Sequence, residues 1–220
     1  MRRAARPFLL VLLGFGALQA QEPQKESWIF SPYSRAADSP FAQLPFAYFY
    51  LENFEEGALQ VPGVTLTRGA LVVGDRGYPS PWVDSVDGDD GRVDGSGSAG
   101  HSLWSGNANG SLVFVFDGSV LEGLPTHVGL VWTDSLGPVR FSLTAFDAEG
   151  NAVAKVGPLA LGDRVIDGTT AEDHFLGLHY PGGIARLRCD NLTVNFEVDH
   201  LQYGRLSPCR ECGPAGLRGP

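Results

Sequence analysis

The feature that most constrains the fold is the stretch 195–204 (NFEVDHLQYG) near the end of the chain. Its apolar side chains fall on even positions up to Val198 and on odd positions from Leu201. Because a β-strand alternates its side chains between two faces, this change of parity requires an extra residue. The pattern predicts a strand with a bulge or kink at positions 199–200, and it makes Asp199 a candidate metal or ligand position. An ordinary edge strand with a solvated Asp199 is the alternative.

Short apolar or alternating segments, separated by turn residues, recur through the rest of the chain. Twenty-nine glycines and fifteen prolines are typical of many short strands joined by turns rather than of a helical bundle. We expect strands at 47–54, 64–67, 70–73, 101–104, 111–117, 127–133, 139–147, 152–156, 174–180, 184–189 and 192–203. The spacing predicts one all-β domain over 47–204, an antiparallel β-sandwich of jelly-roll type. Trp132 lies in a strongly apolar segment and is expected in its core.

The two ends of the chain are predicted to lie outside this domain. Residues 1–20 have a basic start, an apolar run of about a dozen residues and Ala20 as a cleavage position, which indicates a signal peptide. Such a run is too short to span a bilayer, and the mature chain has no longer one. Polar, proline-punctuated residues 21–46 predict an irregular lead-in, and 205–220 a C-terminal tail.

The charge of the chain limits its partners. The formal net charge is −9, and removing the leader takes away three arginines and no acid, which leaves −12. Nucleic-acid binding needs a basic footprint, so that class is disfavoured. The charge suits a secreted, extracellular protein or one that captures cations.

Three cysteines give no metal or redox motif. Cys209 and Cys212 form a C-x-x-C in a polar tail, without the βαβ context of a redox site. Two cysteines cannot make a structural zinc site alone. A disulfide within the tail, or one between the tail and Cys189, are both open.

An acidic, glycine-rich stretch at 74–110 is the first candidate site. Calcium takes six to eight hard oxygen ligands, and alternating Asp and Gly let carboxylates and carbonyls converge on one point. The candidate ligands are Asp84, Asp87, Asp89, Asp90 and Asp94. The EF-hand pattern does not fit them, and a solvated acidic loop is the alternative.

A second candidate cation site would join the two ends of the domain. Glu52, Glu55 and Glu56 close the first strong strand, and Asp199 lies in the last. Those strands commonly lie side by side in a sandwich, so calcium between them would offset the repulsion of the carboxylates. Unrelated surface acids are the alternative.

Aromatic side chains in the loops indicate a ligand surface. Tyr78, Trp82 and Trp104 are candidate platforms on which a sugar ring would stack. Catalytic motifs are weak by comparison, since G-x-S-x-G is absent and the histidines are scattered. Paired acids for glycoside hydrolysis stay open, with candidates Asp117, Asp134, Asp147, Glu172 and Asp173.

Several motifs resemble a group of exported bacterial β-sandwich domains found in PEP-CTERM-type surface proteins. They are 54–57 (FEEG), 64–65 (VT), 84–91 (DSVDGDDG), 94–97 (DGSG), 124–134 (LPTHVGLVWTD), 168–177 (GTTAEDHFLG), 182–185 (GGIA) and 196–204 (FEVDHLQYG). The closing strand is also similar to that of galactose-binding-like jelly rolls and carbohydrate-binding modules. That likeness implies a structural calcium between Glu55 or Glu56 and Asp199.

Taken together, the sequence predicts a secreted, non-catalytic binding domain, stabilised by calcium, that recognises extracellular carbohydrate. A structural or adhesive surface protein without a small ligand is one alternative, and a polysaccharide hydrolase is another. The sequence does not indicate an oligomeric state.

Overall fold

The computed structural model describes residues 27–66, 71–74, 83–89, 92, 100–106, 111–135, 137, 139–162, 165–166, 168, 172–191 and 194–207. Within them the chain forms one 3-10 turn, Ala36–Asp38, and twelve strands. The strands are β1 (Ser27–Phe30), β2 (Phe46–Glu52), β3 (Val64–Leu66), β4 (Leu71–Val73), β5 (Ser102–Trp104), β6 (Ser111–Phe116), β7 (His127–Ser135), β8 (Val139–Phe146), β9 (Ala152–Leu161), β10 (His174–His179), β11 (Arg186–Asn191) and β12 (Phe196–Leu206).

The strands form two antiparallel sheets. The larger sheet has the order β1-β10-β7-β12-β5-β4, with β2 also paired to β12, and the smaller has the order β3-β6-β11-β8-β9. From β5 to β12 the chain alternates between the sheets, except at the β8–β9 hairpin. The predicted all-β, antiparallel β-sandwich of jelly-roll type is therefore confirmed.

The main hydrophobic core lies between the two sheets. Alternate residues of the facing strands meet there, because the period of two sends every second side chain inward. Trp132 is fully buried in this core, as expected from its apolar segment. Phe114 of β6 and Phe141 of β8 are fully buried in the same cluster.

Strand β12 is the central element of the larger sheet. It pairs with β7 along one edge, and along the other it pairs first with β5 and then with β2. The change of partner falls at the predicted kink, where the register with β7 shifts between Asp199 and Gln202 and His200 adopts a φ of +44°. The bulge is confirmed, and the alternative of an edge strand with a solvated Asp199 is wrong, because that side chain is fully buried.

The N-terminal segment differs from the predicted irregular lead-in. Strand β1 pairs with β10, and Tyr33 and Phe41 are buried. Together with Val86, Val131 and Phe175 they form a second hydrophobic cluster on the outer face of the larger sheet. Its aromatic side chains lie apart in the sequence and show no strand periodicity, so the sequence pattern did not indicate their burial.

Other expectations fall partly or wholly outside the described residues. The predicted leader and the tail cysteines lie outside them, whereas Cys189 is described, buried and free. No helix in the described part of the chain is long and apolar enough to cross a membrane.

Replacing Phe41 with alanine tests whether the N-terminal segment is part of the fold. Phe41 contacts the rings of Trp28, Phe46 and Phe175. Phe41→Ala should lower the free energy of unfolding by about 3–5 kcal/mol, measured by denaturant titration, because it leaves a cavity between packed rings. Ile29→Ala is the control, since Ile29 is 55 % exposed, and should change it by no more than about 0.5 kcal/mol. Equal effects of the two substitutions would contradict this packing.

Candidate functional site

The kink in β12 places two consecutive polar side chains on the outer face of the larger sheet. Val198 and Leu201 both point into the core, so Asp199 and His200 between them both face outward. Glu197, one step before Val198, shares that face. The bulge thus gathers three ionisable side chains beneath the segment 83–89.

These side chains hold the segment 83–89 against the sheet. The Asp84 amide donates to Glu197 Oε2 at 3.0 Å, and the Val86 amide donates to Asp199 Oδ2 at 2.9 Å. Ser102 on β5 also donates to Glu197, at 2.7 Å. Part of the predicted acidic loop is therefore docked on the last strand, and its backbone is bound by buried carboxylates.

Further acids come from β7 and from the residues just before β10. Asp134 lies near the end of β7, and Glu172 and Asp173 precede β10, its antiparallel neighbour. Less than a tenth of the surface of each acid in the cluster is exposed, except for the half-buried Asp89. We call this set the acidic cluster; its members are Asp84, Asp87, Asp89, Asp134, Glu172, Asp173, Glu197 and Asp199.

Burial and mutual repulsion raise the pKa values of five acids in the cluster. Desolvation raises the pKa of Asp84 to about 11, with further contributions from Asp173, Asp134, Glu197 and Glu172. Desolvation likewise raises the pKa of Asp134 to about 8 and that of Glu197 to about 7. The pKa values of Asp173 and Asp199 lie well above the ordinary range for the same reason, and the negative charge of Asp89 adds to the Asp199 shift.

Five acids of the cluster have no compensating lysine or arginine in the described part of the chain. None of its salt bridges there joins a lysine or arginine to Asp84, Asp134, Asp173, Glu197 or Asp199. Asp84 Oδ2 and Asp173 Oδ1 are buried without a hydrogen-bond partner among the described residues. Buried ionised carboxylates are costly unless paired, so the cluster must either hold protons or bind cations.

A directed chain of hydrogen bonds fixes the tautomer of His200. Ser39 Oγ donates to Gln202 Oε1 at 2.5 Å, and Gln202 Nε2 donates to the Tyr33 hydroxyl at 3.0 Å. The Tyr33 hydroxyl then donates to His200 Nδ1 at 2.9 Å, which leaves the proton on Nε2. That N–H donates to the Asp89 carboxylate, at 3.0 Å from Oδ2.

This arrangement decides which kind of metal the residues fit. Asp89, Asp199 and His200 offer atoms within 4.8 Å of one another. The Nε2 proton leaves no imidazole lone pair directed at the site, so the remaining donors are carboxylate oxygens. Oxygen donors suit a hard cation such as calcium, whereas zinc prefers nitrogen and sulfur.

The structure brings together residues from both predicted cation sites. Asp89 of the acidic loop lies beside Asp199 of the last strand, so the two sites overlap, and Asp84 of that loop lies beside Glu197 of the same strand. The predicted loop members Asp90 and Asp94, and the predicted aromatic platforms Tyr78 and Trp82, lie outside the described residues.

The other acids near the first strand have different partners. Strand β2 does lie beside β12, with Glu52 opposite Leu201. Glu55 instead accepts hydrogen bonds from the amide and the ring of His101, and Glu56 is exposed. Glu52 accepts the amides of Phe54, Gln60 and Val61, and so organises the turn after β2.

Sequence reasoning did not assign Asp134, Glu172, Asp173 or Glu197 to the cation site. Glu197 carried a usable signal, because it shares the outer face with Asp199 two positions later. The other three come from strands that meet only through sheet topology, and no sequence spacing indicates that. Trp104 is half-buried on β5 directly opposite Glu197, so this predicted platform adjoins the acidic cluster.

Comparisons with known proteins give distant structural likenesses. No protein-family model and no curated protein sequence matches the chain. The K2 cleaved adhesin domain of Lys-gingipain is similar with a TM-score of 0.45 and 12 % identity, over 71 % of this chain and 99 % of that one.

Two further solved structures are similar over part of their length. The CBM22-1–GH10 modules of Clostridium thermocellum endo-1,4-β-D-xylanase 10B, complexed with xylohexaose, give a TM-score of 0.36 and 14 % identity, over 74 % of this chain and 29 % of that one. Tailspike protein 4 of bacteriophage CBA120 gives 0.29 and 17 %, over 70 % and 20 %. These likenesses are too distant to transfer a function.

The pH dependence of stability tests the charge state of the acidic cluster. The raised folded-state pKa values, about 7 for Glu197 and about 8 for Asp134, mean that the folded protein holds protons that the unfolded chain releases. The stabilisation from these protons is fully present below about pH 4, the pKa of the unfolded acids. It is lost as the pH rises through the folded-state pKa values. In EDTA the unfolding temperature should therefore fall from about pH 5 to about pH 8.5. A flat or rising profile in EDTA would contradict the burial of these acids.

Proposed function

We propose that this chain is a secreted, non-catalytic binding domain, stabilised by calcium at the acidic cluster, that recognises extracellular carbohydrate. The observation that carries the calcium assignment is the buried group of carboxylates with unpartnered oxygens on Asp84 and Asp173. A divalent cation would supply the positive charge that the described side chains do not.

Calcium at this position would act on the fold rather than on a reaction. Asp84, Asp87 and Asp89 belong to the segment 83–89, whereas Asp199 belongs to the central strand. A cation shared between them would replace repulsion with attraction and fasten the segment to the sheet.

The carbohydrate assignment is supported by the position of Trp104. The side chain lies on the outer face of the larger sheet, opposite Glu197 and next to the segment that calcium would order. An aromatic ring beside hydrogen-bonding acids is the composition of a sugar-binding surface. The predicted leader and the resemblance to exported bacterial surface domains indicate an extracellular ligand.

A hydrolase is the second candidate, favoured by the raised pKa values of Asp134 and Glu197. A carboxyl group that keeps its proton near neutral pH can serve as a general acid. Calcium at the cluster would lower the pKa values of Asp134 and Glu197, so neither could keep a proton near neutral pH. Calcium binding and general-acid catalysis therefore exclude each other. Turnover of a polysaccharide in EDTA that is lost in Glu197→Gln, with folding intact, would establish the hydrolase and overturn the binding role.

Thermal unfolding during calcium titration tests the cation site. Calcium that binds only the folded state should add about 2.7 kcal/mol at a hundredfold excess over Kd, a rise of about 5–10 °C. Asp84→Asn should abolish this rise, because it removes one carboxylate of the site. In EDTA at pH 8 it should unfold near the wild-type temperature, since the raised pKa of Asp84, about 11, keeps that carboxyl uncharged there. Glu56→Gln is the matched control and should keep the full rise. A rise in Asp84→Asn equal to that of the wild type would reject the site.

A glycan-binding screen tests the ligand class. In saturating calcium, Trp104→Ala should weaken binding of the best neutral oligosaccharide about threefold to tenfold, because ring stacking is lost. Trp28→Ala removes another half-buried tryptophan, on β1, and should leave binding unchanged. Absence of saturable binding by the folded, calcium-loaded protein would favour a structural or adhesive role instead.

A further inference from the structure

The outer face of the smaller sheet differs in charge from the rest of the molecule. Arg186 and Arg188 of β11, Arg140 of β8 and Lys155 of β9 lie on it, because their sequence neighbours Leu187, Phe141 and Val156 point into the core. We call this surface the basic face. Seven lysines and arginines fall within the described residues, and four of them are here.

Few acids offset this charge on the same surface. Asp190 is the single acid on the outward side of β3, β6, β11, β8 and β9, although acids exceed bases across the whole chain. At the ends of these strands, Asp117 accepts hydrogen bonds from Ser119, and Asp147 accepts them from Asn151. Both acids are thus engaged in their own turns rather than directed across the sheet.

The strand register arranges the basic side chains in rows. Arg188 stands between Val113 on β6 and Thr144 on β8, and Thr144 is opposite Lys155 on β9. Neighbouring strands lie about 4.8 Å apart, so Arg188 and Lys155 are separated by roughly 10 Å across the sheet. Arg186 lies about 7 Å further along β11. An extended chain with regularly spaced negative groups matches such a surface.

An aromatic ring orients the two arginines of β11. The Arg186 guanidinium lies over the Phe146 ring at 4.2 Å from its centroid, and that of Arg188 at 5.5 Å. Stacking holds the guanidinium planes while their edge N–H groups stay available to a ligand. Arg188 already binds a carboxylate in this orientation, since its Nε is 2.7 Å from Asp190 Oδ2.

A surface pocket continues the row of Arg186 and Phe146 toward the sheet edge. Val115 on β6 pairs with Arg186 on one side and with Thr65 of β3 on the other. Both Val115 and Thr65 line the pocket. Its volume is about 540 Å³, enough for one or two sugar units, and its lining also includes one exposed acid, Asp117. The basic face therefore combines charge, hydroxyl groups and a concave end.

We propose that the basic face binds a carboxylated polysaccharide, a polymer of uronic-acid units. Arginine is suited to carboxylates because its planar fork donates two parallel hydrogen bonds. The exposed hydroxyl group of Thr65 lies on the same outward side and can meet sugar hydroxyls, whereas that of Ser111 donates to Asp190. This inference rests on the proposed function for the choice of a sugar polymer, but its surface is opposite to that of Trp104 and the acidic cluster.

The charge balance favours this polymer over a nucleic acid. Four basic groups on a chain of net charge −9 give a local attraction but not the extended basic footprint of nucleic-acid binders. The single ring of the row, Phe146, is covered by arginines rather than open to a base.

Titration calorimetry with a short oligogalacturonate, using the full chain in calcium-free buffer, tests the proposal. Binding should be saturable, should weaken as salt rises, and should disappear when the carboxyl groups are methyl-esterified. Arg188→Gln should weaken it about tenfold. Arg35→Gln is the matched control, because Arg35 is also exposed and paired with a nearby acid, Asp38, and should leave binding unchanged.

Several outcomes would overturn the basic face as a uronate site. They are absence of binding, equal binding of the esterified ligand, equal losses in Arg188→Gln and Arg35→Gln, and equal or tighter binding of dextran sulfate or single-stranded DNA. The calcium-dependent thermal shift and the Trp104→Ala comparison concern the opposite surface. A negative result with oligogalacturonate would therefore not contradict the calcium site or the Trp104 surface. Failure of those two tests would likewise not contradict saturable, Arg188-dependent binding.

Discussion

The cost of burying carboxylates is the constraint on which the rest of this structure depends. The cluster around Asp84, Asp173 and Asp199 lies on the outer face of the larger sheet, covered by segment 83–89 and the N-terminal residues. Two of the carboxylates also stabilise the fold, since Glu197 and Asp199 accept backbone amides that the docked segment would otherwise bury unpaired. The same oxygens that hold the segment in place therefore create a charge that a proton or a cation must neutralise.

The two outer faces of the sandwich have opposite character. One carries acids, is covered by other parts of the chain, and has a half-buried tryptophan at its margin. The other carries three arginines and a lysine that are exposed or half-buried. A molecule arranged in this way separates the groups that would hold a cation from those that would attract an anionic polymer, so neither neutralises the other.

Local sequence patterns predicted the strands well because burial on one face imposes a period of two. The parity change between Val198 and Leu201 was sufficient to place a bulge, and the structure has it there, with His200 in a left-handed conformation. The composition of the acidic loop predicted a cation site, and the structure shows residues 83–89 of that loop docked on the larger sheet. The patterns did not show that Asp134, Asp173 and Asp199 belong to one cluster. Their proximity depends on the pairing of β7 with β10 and β12. The role of residues 27–46 was missed for a similar reason, since Tyr33 and Phe41 are isolated aromatics whose burial depends on distant partners.

The hydrogen-bond chain from Ser39 to His200 has a consequence for the order in which the molecule assembles. Tyr33 and His200 are 167 residues apart in sequence, and Ser39 and Gln202 are 163 apart. Contacts between such distant residues form late, because closing a long loop costs entropy before any contact offsets it. The first and last strands of the domain must both be present before the acids acquire their final neighbours. During synthesis, an incomplete chain would lack the strand that carries Glu197 and Asp199, so the buried acidic cluster would form only after that strand is made.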